Sequence, residues 1–86
     1  MTVNIPAALW SYTKNTSEVD VSGSSLREVM AALETRFPGL RFRVIDEQDQ
    51  IRTHMKLFVN TESARDLDHP VRPSDEVTIV CALSGG

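Results

Sequence analysis

Polar and apolar positions alternate from the first residues of the chain. Val3 and Ile5 stand against Thr2 and Asn4 before Pro6 interrupts the ladder, so the spacing predicts a strand that Leu9 and Trp10 extend. After the polar stretch "SYTKNTS", Val19 and Val21 again alternate with acids, giving a second strand and a long-looped hairpin. The period then changes. Leu26, Val29, Met30, Leu33 and Phe37 fall on one helical stripe, Ser25 and Glu28 form a capping-box pair at its start, and Pro38-Gly39 stops it.

Beyond the helix the alternation returns. Leu40, Phe42 and Val44 against Arg41 and Arg43 predict a third strand, ended by the acidic loop "DEQDQ". Met55, Leu57 and Val59 against Lys56 and Phe58 predict a fourth, and Val77, Ile79 and Cys81 against Thr78, Val80 and Ala82 a fifth. The order is strand, strand, helix, strand, strand, strand. It predicts an α+β domain in which one main helix covers one face of a mixed sheet of about five strands, the β-grasp (ubiquitin-like) arrangement. Residues 1–82 are read as this domain and residues 83–86 as a flexible tail.

Length sets what such a domain can do. A chain of 86 residues buries only roughly 60 to 65% of its unfolded surface, which leaves little room for an enclosed cofactor and disfavours a solitary enzyme. The formal charge of −3 offers no general attraction for phosphate backbones, so nucleic acid is not an expected partner. No apolar run nears the roughly 20 residues that cross a bilayer, and the start lacks the pattern of a signal peptide. With a single cysteine, Cys81, no internal disulfide is possible, and the expected setting is reduced and cytoplasmic.

Few residues read as chemistry in their own right. Cys81 lies on the inward parity of the last strand, which reads as a core position rather than a persulfide or thioester site. His54 and His69 are far apart and give no metal spacing. Glu62, Asp66, Asp68, Asp75 and Glu76 read as solubilising charge at turns with no pocket around them, with docking onto a basic partner as the alternative. Phe58 and Val80 share the face turned away from the helix and form a candidate partner-binding patch, which Arg41, Arg43, Arg52 and Lys56 would border, although each of these four reads first as solvated surface charge.

The stretch from Phe58 to Gly86 carries a sharper signal. Its V-N turn at Asn60, its apolar Pro70-Val71, its D-x-V turn at Asp75 to Val77 and its terminal Gly85-Gly86 resemble the C-terminal third of the bacterial ubiquitin-like sulfur carriers. These include the molybdopterin synthase small subunit, the thiazole-synthesis carrier and the carrier of a cysteine-synthesis route. The resemblance implies that an ATP-using activating enzyme adenylates the carboxylate of Gly86, that sulfur displaces AMP, and that the thiocarboxylate serves a biosynthetic enzyme. Gly86 is then the reactive residue and Leu83, Ser84 and Gly85 the tail that delivers it, reaching roughly 13 to 14 Å at full extension. Glycine suits the task, because it has no Cβ to obstruct close approach to a nucleotide.

On this reading the chain is a co-substrate with no bound cofactor. ATP belongs to the activating partner, and a protease that exposes Gly86 is a further possible partner. Two other readings stay open: a protein modifier joined through Gly86 to lysines, and a plain β-grasp interaction domain. Molybdenum-cofactor, thiazole, cysteine and secondary-metabolite routes all use carriers of this design, and the resemblance does not choose among them.

Overall fold

The computed structural model describes residues 1–81. Its elements run β1 (Thr2–Asn4), a 3-10 helix (Ala7–Tyr12), β2 (Glu18–Asp20), α1 (Leu26–Arg36), α2 (Leu40–Val44), β3 (Met55–Val59), β4 (Glu62–Ser63) and β5 (Glu76–Cys81). The strands form one mixed sheet in the order β2-β1-β5-β3-β4, with the outermost segments of the chain, β1 and β5, parallel at its centre. Strands β1 and β2 pair antiparallel, as do β3 with β5 and β3 with β4. This is the β-grasp fold, with α1 as its main helix.

Helix α1 forms where its sequence places it, and its buried side chains Leu26, Val29, Met30 and Leu33 all join the core. Each contributes up to about 1.5–3 kcal/mol of apolar burial. The free N–H groups of its first turn are met in several ways. Leu26 and Arg27 donate to the carbonyls of His69 and Leu67, at 3.1 and 2.9 Å. The Ser25 hydroxyl accepts from the Glu28 N–H at 3.3 Å, while the Glu28 carboxylate reaches back to the N–H of Ser24, one residue earlier than a capping box requires. Opposite the helix, Val3, Val19, Leu57, Val59, Val77 and Ile79 fill the inner face of the sheet, and all of these residues form one buried cluster.

Two segments depart from the pattern-based reading. Leu40–Val44 is not a third strand but the short helix α2. Over five residues, strand alternation and an i, i+4 helical pair both bury Leu40 and Val44; only Phe42 tells them apart, and it is 51% exposed. The helix is set up from outside the segment. Gly39 takes a left-handed φ of 97°, and the Glu34 carboxylate accepts the N–H groups of Gly39 and Arg41, each at 3.0 Å. The third antiparallel partner in the sheet is instead β4, two exposed residues with no apolar alternation to announce them.

Leu9 and Trp10 likewise do not prolong β1. They lie in the 3-10 helix that follows Pro6, where Leu9 is buried and the Trp10 indole donates to the Ile5 carbonyl at 2.8 Å. Among the described residues, no helix is long and apolar enough to cross a membrane.

Candidate functional site

The site is organised by the point where the chain leaves the sheet. Strand β5 is described to Cys81, which pairs with Met55 at the start of β3. The expected tail, Leu83, Ser84, Gly85 and Gly86, lies outside the described residues, as does the proposed boundary at residue 82. Two surfaces adjoin this exit: the outer face of the sheet and a notch beside it.

On the outer face, the β3–β5 register sets Phe58 opposite Thr78 and Lys56 opposite Val80. Phe58 and Val80 are therefore diagonal neighbours, about 7–8 Å apart by sheet geometry. Both are half-buried, consistent with strand positions that turn away from the core. Towards β1 the same face becomes polar, where the Asn4 amide donates to Glu76 at 2.9 Å and to the Thr78 hydroxyl at 3.2 Å. The structure thus brings the two patch residues together, with Lys56 and Val80 side by side next to the exit.

The notch lies beside the exit and has a volume of about 390 Å³. Phe42, Arg43, Arg52, His54 and Met55 line it. It depends on α2: a helical turn at Leu40–Val44 puts Phe42 outward, where Arg52 lies over its ring at 4.5 Å and donates from Nε to its carbonyl oxygen at 2.7 Å. Arg43 lies over Tyr12 at 5.4 Å. Of the four cations expected to border the patch, Arg41 turns elsewhere and pairs with Asp49 at 2.6 Å. Nothing in the linear pattern marks this notch, because it arises from the helix that the alternation disguised.

Two of the acids line a depression at the other end. Val59, Asn60, Glu62, His69, Arg72 and Asp75 help form its wall, with a volume of about 320 Å³, so Glu62 and Asp75 do have a pocket, contrary to expectation, whereas Asp66, Asp68 and Glu76 do not line it. It belongs to the end of β3 remote from Met55, about 13 Å away along the strand. Glu62, Asp75 and Glu76 therefore stand near the tail in sequence and far from its exit in space. They also hold structure. Asn60, at a left-handed φ of 56°, donates from its N–H to Glu76 O at 2.7 Å, accepts from Glu76 N at 3.0 Å and donates from its amide to Asp75 at 3.1 Å. Asp75 also accepts from the Arg72 N–H at 2.8 Å, and these bonds, led by that from Asn60, hold its carboxyl below the usual carboxylate range.

Cys81 is a free thiol, half-buried and packed against the core cluster, so its placement is that of a small hydrophobe. His54 is exposed at the notch, and His69 stands 3.5 Å from Glu62. Among the described residues, no three His, Cys, Asp or Glu side chains converge as a metal site would require.

Comparison with known proteins supplies what the geometry leaves open. The ThiS family model matches residues 3–86. The sulfur carrier protein CysO of Mycobacterium tuberculosis is 32% identical over 91 residues, an alignment that covers all of this chain and 98% of CysO. A chain in the crystal structure of the Amycolatopsis orientalis BexX/CysO complex superposes with a TM-score of 0.92 at 28% identity, over 99% of this chain and 98% of that one. SAMP1 of Haloferax volcanii superposes at 0.77 with 27% identity, over the full length of this chain and 98% of SAMP1.

Proposed function

Because this chain belongs to the ThiS family, and is thus a ubiquitin-like sulfur carrier rather than an enzyme, we propose that Gly86 carries the sulfur as a C-terminal thiocarboxylate. The observation that carries this reading is the extent of the family match. It runs from β1 through the terminal Gly85-Gly86, and CysO shares the full length.

The chemistry balances with two partners. A carboxylate oxygen of Gly86 attacks the α-phosphorus of ATP in an activating enzyme and releases pyrophosphate, giving a mixed anhydride with AMP. Hydrosulfide, or its equivalent from a sulfur donor, attacks the acyl carbon and expels AMP. In a biosynthetic enzyme the thiocarboxylate sulfur attacks an electrophilic acceptor and displaces its leaving group; water then hydrolyses the acyl–sulfur bond, which leaves the sulfur on the acceptor and regenerates the carboxylate of Gly86. No step needs a general acid or base from this chain. ATP belongs to the activating enzyme, so the setting we propose is the cytoplasm.

This chain's contribution is presentation. Strand β5 is held on both sides, by β1 and β3, up to Cys81, and the two terminal glycines have no Cβ to obstruct entry into a narrow channel. The outer patch of Phe58 and Val80 is the surface we assign to holding the partner while the tail is engaged. The BexX/CysO complex supports a protein partner for a carrier of this shape.

The likeness to SAMP1, a small archaeal modifier protein, favours a second reading, in which the same activated Gly86 is joined to lysine amines. Intact mass after incubation with ATP, sulfide and an adenylating enzyme separates the two. Replacement of one oxygen by sulfur, mapped to Gly86, is the expected result. Amide-linked conjugates that survive reducing agent, without any thiocarboxylate, would move the assignment to the modifier.

A further inference from the structure

We infer that the notch formed by Phe42, Arg43, Arg52, His54 and Met55 is a second docking surface, which receives a carboxylate-bearing rim around the mouth of the enzyme channel that the tail enters. The inference rests on the reading above and adds to it the place and the charge of the contact.

Position is the first argument. Met55 is the cross-strand partner of Cys81, so the notch lies where β5 gives way to the tail. Whatever protein takes up the residues after Cys81 must bring the edge of its channel against this part of the surface. The Phe58 and Val80 patch lies on the outer face of the sheet, whereas the notch lies between α2 and the start of β3. A partner that covers both would grip the exit from two sides.

Charge is the second. The whole chain carries a formal −3, yet Arg43, Arg52 and Lys56 gather at this end together with His54. Among the described residues, no carboxylate pairs with any of these three cations. In the loop between α2 and Arg52, Asp49 is committed to Arg41 and Arg27 and Asp46 to the N–H groups of Gln48 and Gln50 in its own turn, while Glu47 is exposed and pairs with none of the three cations. Glu62 and Asp75 lie at the far end of β3. Arg43, Arg52 and Lys56 thus stand beside the exit with no carboxylate paired to them among the described residues, which favours an incoming acidic surface there.

Preorganisation is the third. Arg52 is held by its Nε bond to Phe42 O and by the Phe42 ring, a geometry that leaves its two terminal nitrogens to an external acceptor. A fixed guanidinium loses less freedom when it binds a carboxylate than a free one does. The exposed Phe42 ring and Met55 beside it provide an apolar floor. The matching partner chemistry is therefore an Asp or Glu beside an apolar side chain.

The test uses the full chain and a charge-matched control. Arg43→Glu/Arg52→Glu is compared with Arg65→Glu/Arg72→Glu, which changes net charge equally at sites away from the notch; Arg43→Gln/Arg52→Gln serves if the reversal disturbs the fold. In the first arm, the isotope-labelled chain is titrated at low salt with a synthetic peptide of alternating Glu and Leu and followed by NMR. The largest shifts are expected at Arg43, Arg52, His54 and Met55, lost in the notch variant and kept in the control. Shifts spread over all cations alike, or unchanged in the notch variant, would overturn the inference.

In the second arm, the adenylating enzyme that acts on the unaltered chain is assayed with each variant. KM for the notch variant should rise about tenfold or more with kcat unchanged, and the difference should shrink as salt is added. An unchanged KM, despite peptide binding at the notch, would also overturn it. If no enzyme activates even the unaltered chain, the reading of the tail falls, and the peptide arm alone decides whether the notch selects acidic partners.

Discussion

The side chain of Asn60 donates to the carboxylate of Asp75 at 3.1 Å and accepts from the Glu76 N–H at 3.0 Å, and with the backbone bond from Asn60 N–H to Glu76 O it clasps the end of β3 to the start of β5. Two of the motif positions that point to the carrier family thus do structural work. They fix the strand that presents the tail, at the end of the sheet remote from the exit. Asn60→Gly keeps the left-handed backbone accessible and removes only the side-chain bonds, whereas Asn60→Ala adds the conformational cost. We expect losses of about 1 kcal/mol for Gly and about 2 kcal/mol for Ala by chemical denaturation, with equal rates of tail activation per folded molecule. Equal stability of both variants and the parent would remove the clasp from the account.

Acid should weaken the fold through a small set of carboxylates. Bonds from Ser24 lower the pKa of Glu28, bonds from Gly39 and Arg41 lower that of Glu34, the Arg41 guanidinium lowers that of Asp49, and Asn60 leads the lowering of Asp75. A depressed folded-state pKa gives stability that is complete above the unfolded value and lost as pH falls through the folded one. The ordinary values are 4.5 for the two glutamates and 3.8 for the two aspartates, so the decline should begin near the former and steepen below the latter. Glu34→Gln should flatten part of that slope in denaturation curves recorded across this range. An unchanged slope would show that the α1–α2 junction does not depend on the charged carboxylate.

The outward pair on the sheet should matter to partners and little to the fold. Phe58→Ala and Val80→Asp remove apolar surface at half-buried positions of β3 and β5 outside the core cluster. Each is expected to weaken binding of the activating enzyme severalfold while shifting thermal stability by no more than about 1 kcal/mol. Unaltered affinity in both variants would leave the notch and the tail as the only contacts.

The sequence exposed the layout because long periodic segments determine it. Helix α1, its Ser25 cap and the inward residues of β3 and β5 all follow from spacing that only one structure satisfies. Short segments carry no such information. Leu40 and Val44 are buried in either a strand or a helix, and the deciding bonds come from Glu34 and from the left-handed Gly39, which no periodicity encodes. Strand β4 has two exposed residues and pairs only because the Asn60 turn returns the chain alongside β3. The patch of Phe58 and Val80 could be found from parity alone. The notch could not, since it requires α2 to turn Phe42 outward and Arg52 to meet it.

Cys81 is the one thiol near the tail, and its environment argues against a role in sulfur transfer. It is half-buried against the core at the end of β5, opposite the buried Met55. Cys81→Ala should therefore leave thiocarboxylate formation intact and cost about 1 kcal/mol of stability through lost packing. Loss of sulfur loading in a variant that still folds, measured by intact mass, would make the thiol a relay and require a persulfide step.

The decisive prediction concerns Gly86. If an activating enzyme must bring this carboxylate onto the α-phosphate of ATP, the channel around it has to be narrow enough to exclude water, and a methyl group or another residue at the end will displace the attacking oxygen. Misplacement on the order of 1 Å costs about a hundredfold in rate. Gly86→Ala should therefore slow pyrophosphate release by about that factor, and one residue added after Gly86 should abolish it. Binding is expected to change far less, because Phe58, Val80 and the notch are untouched. Normal activation of the extended chain would show that the terminal carboxylate is not the reacting group, whereas restored activity after proteolytic trimming to Gly86 would identify it directly.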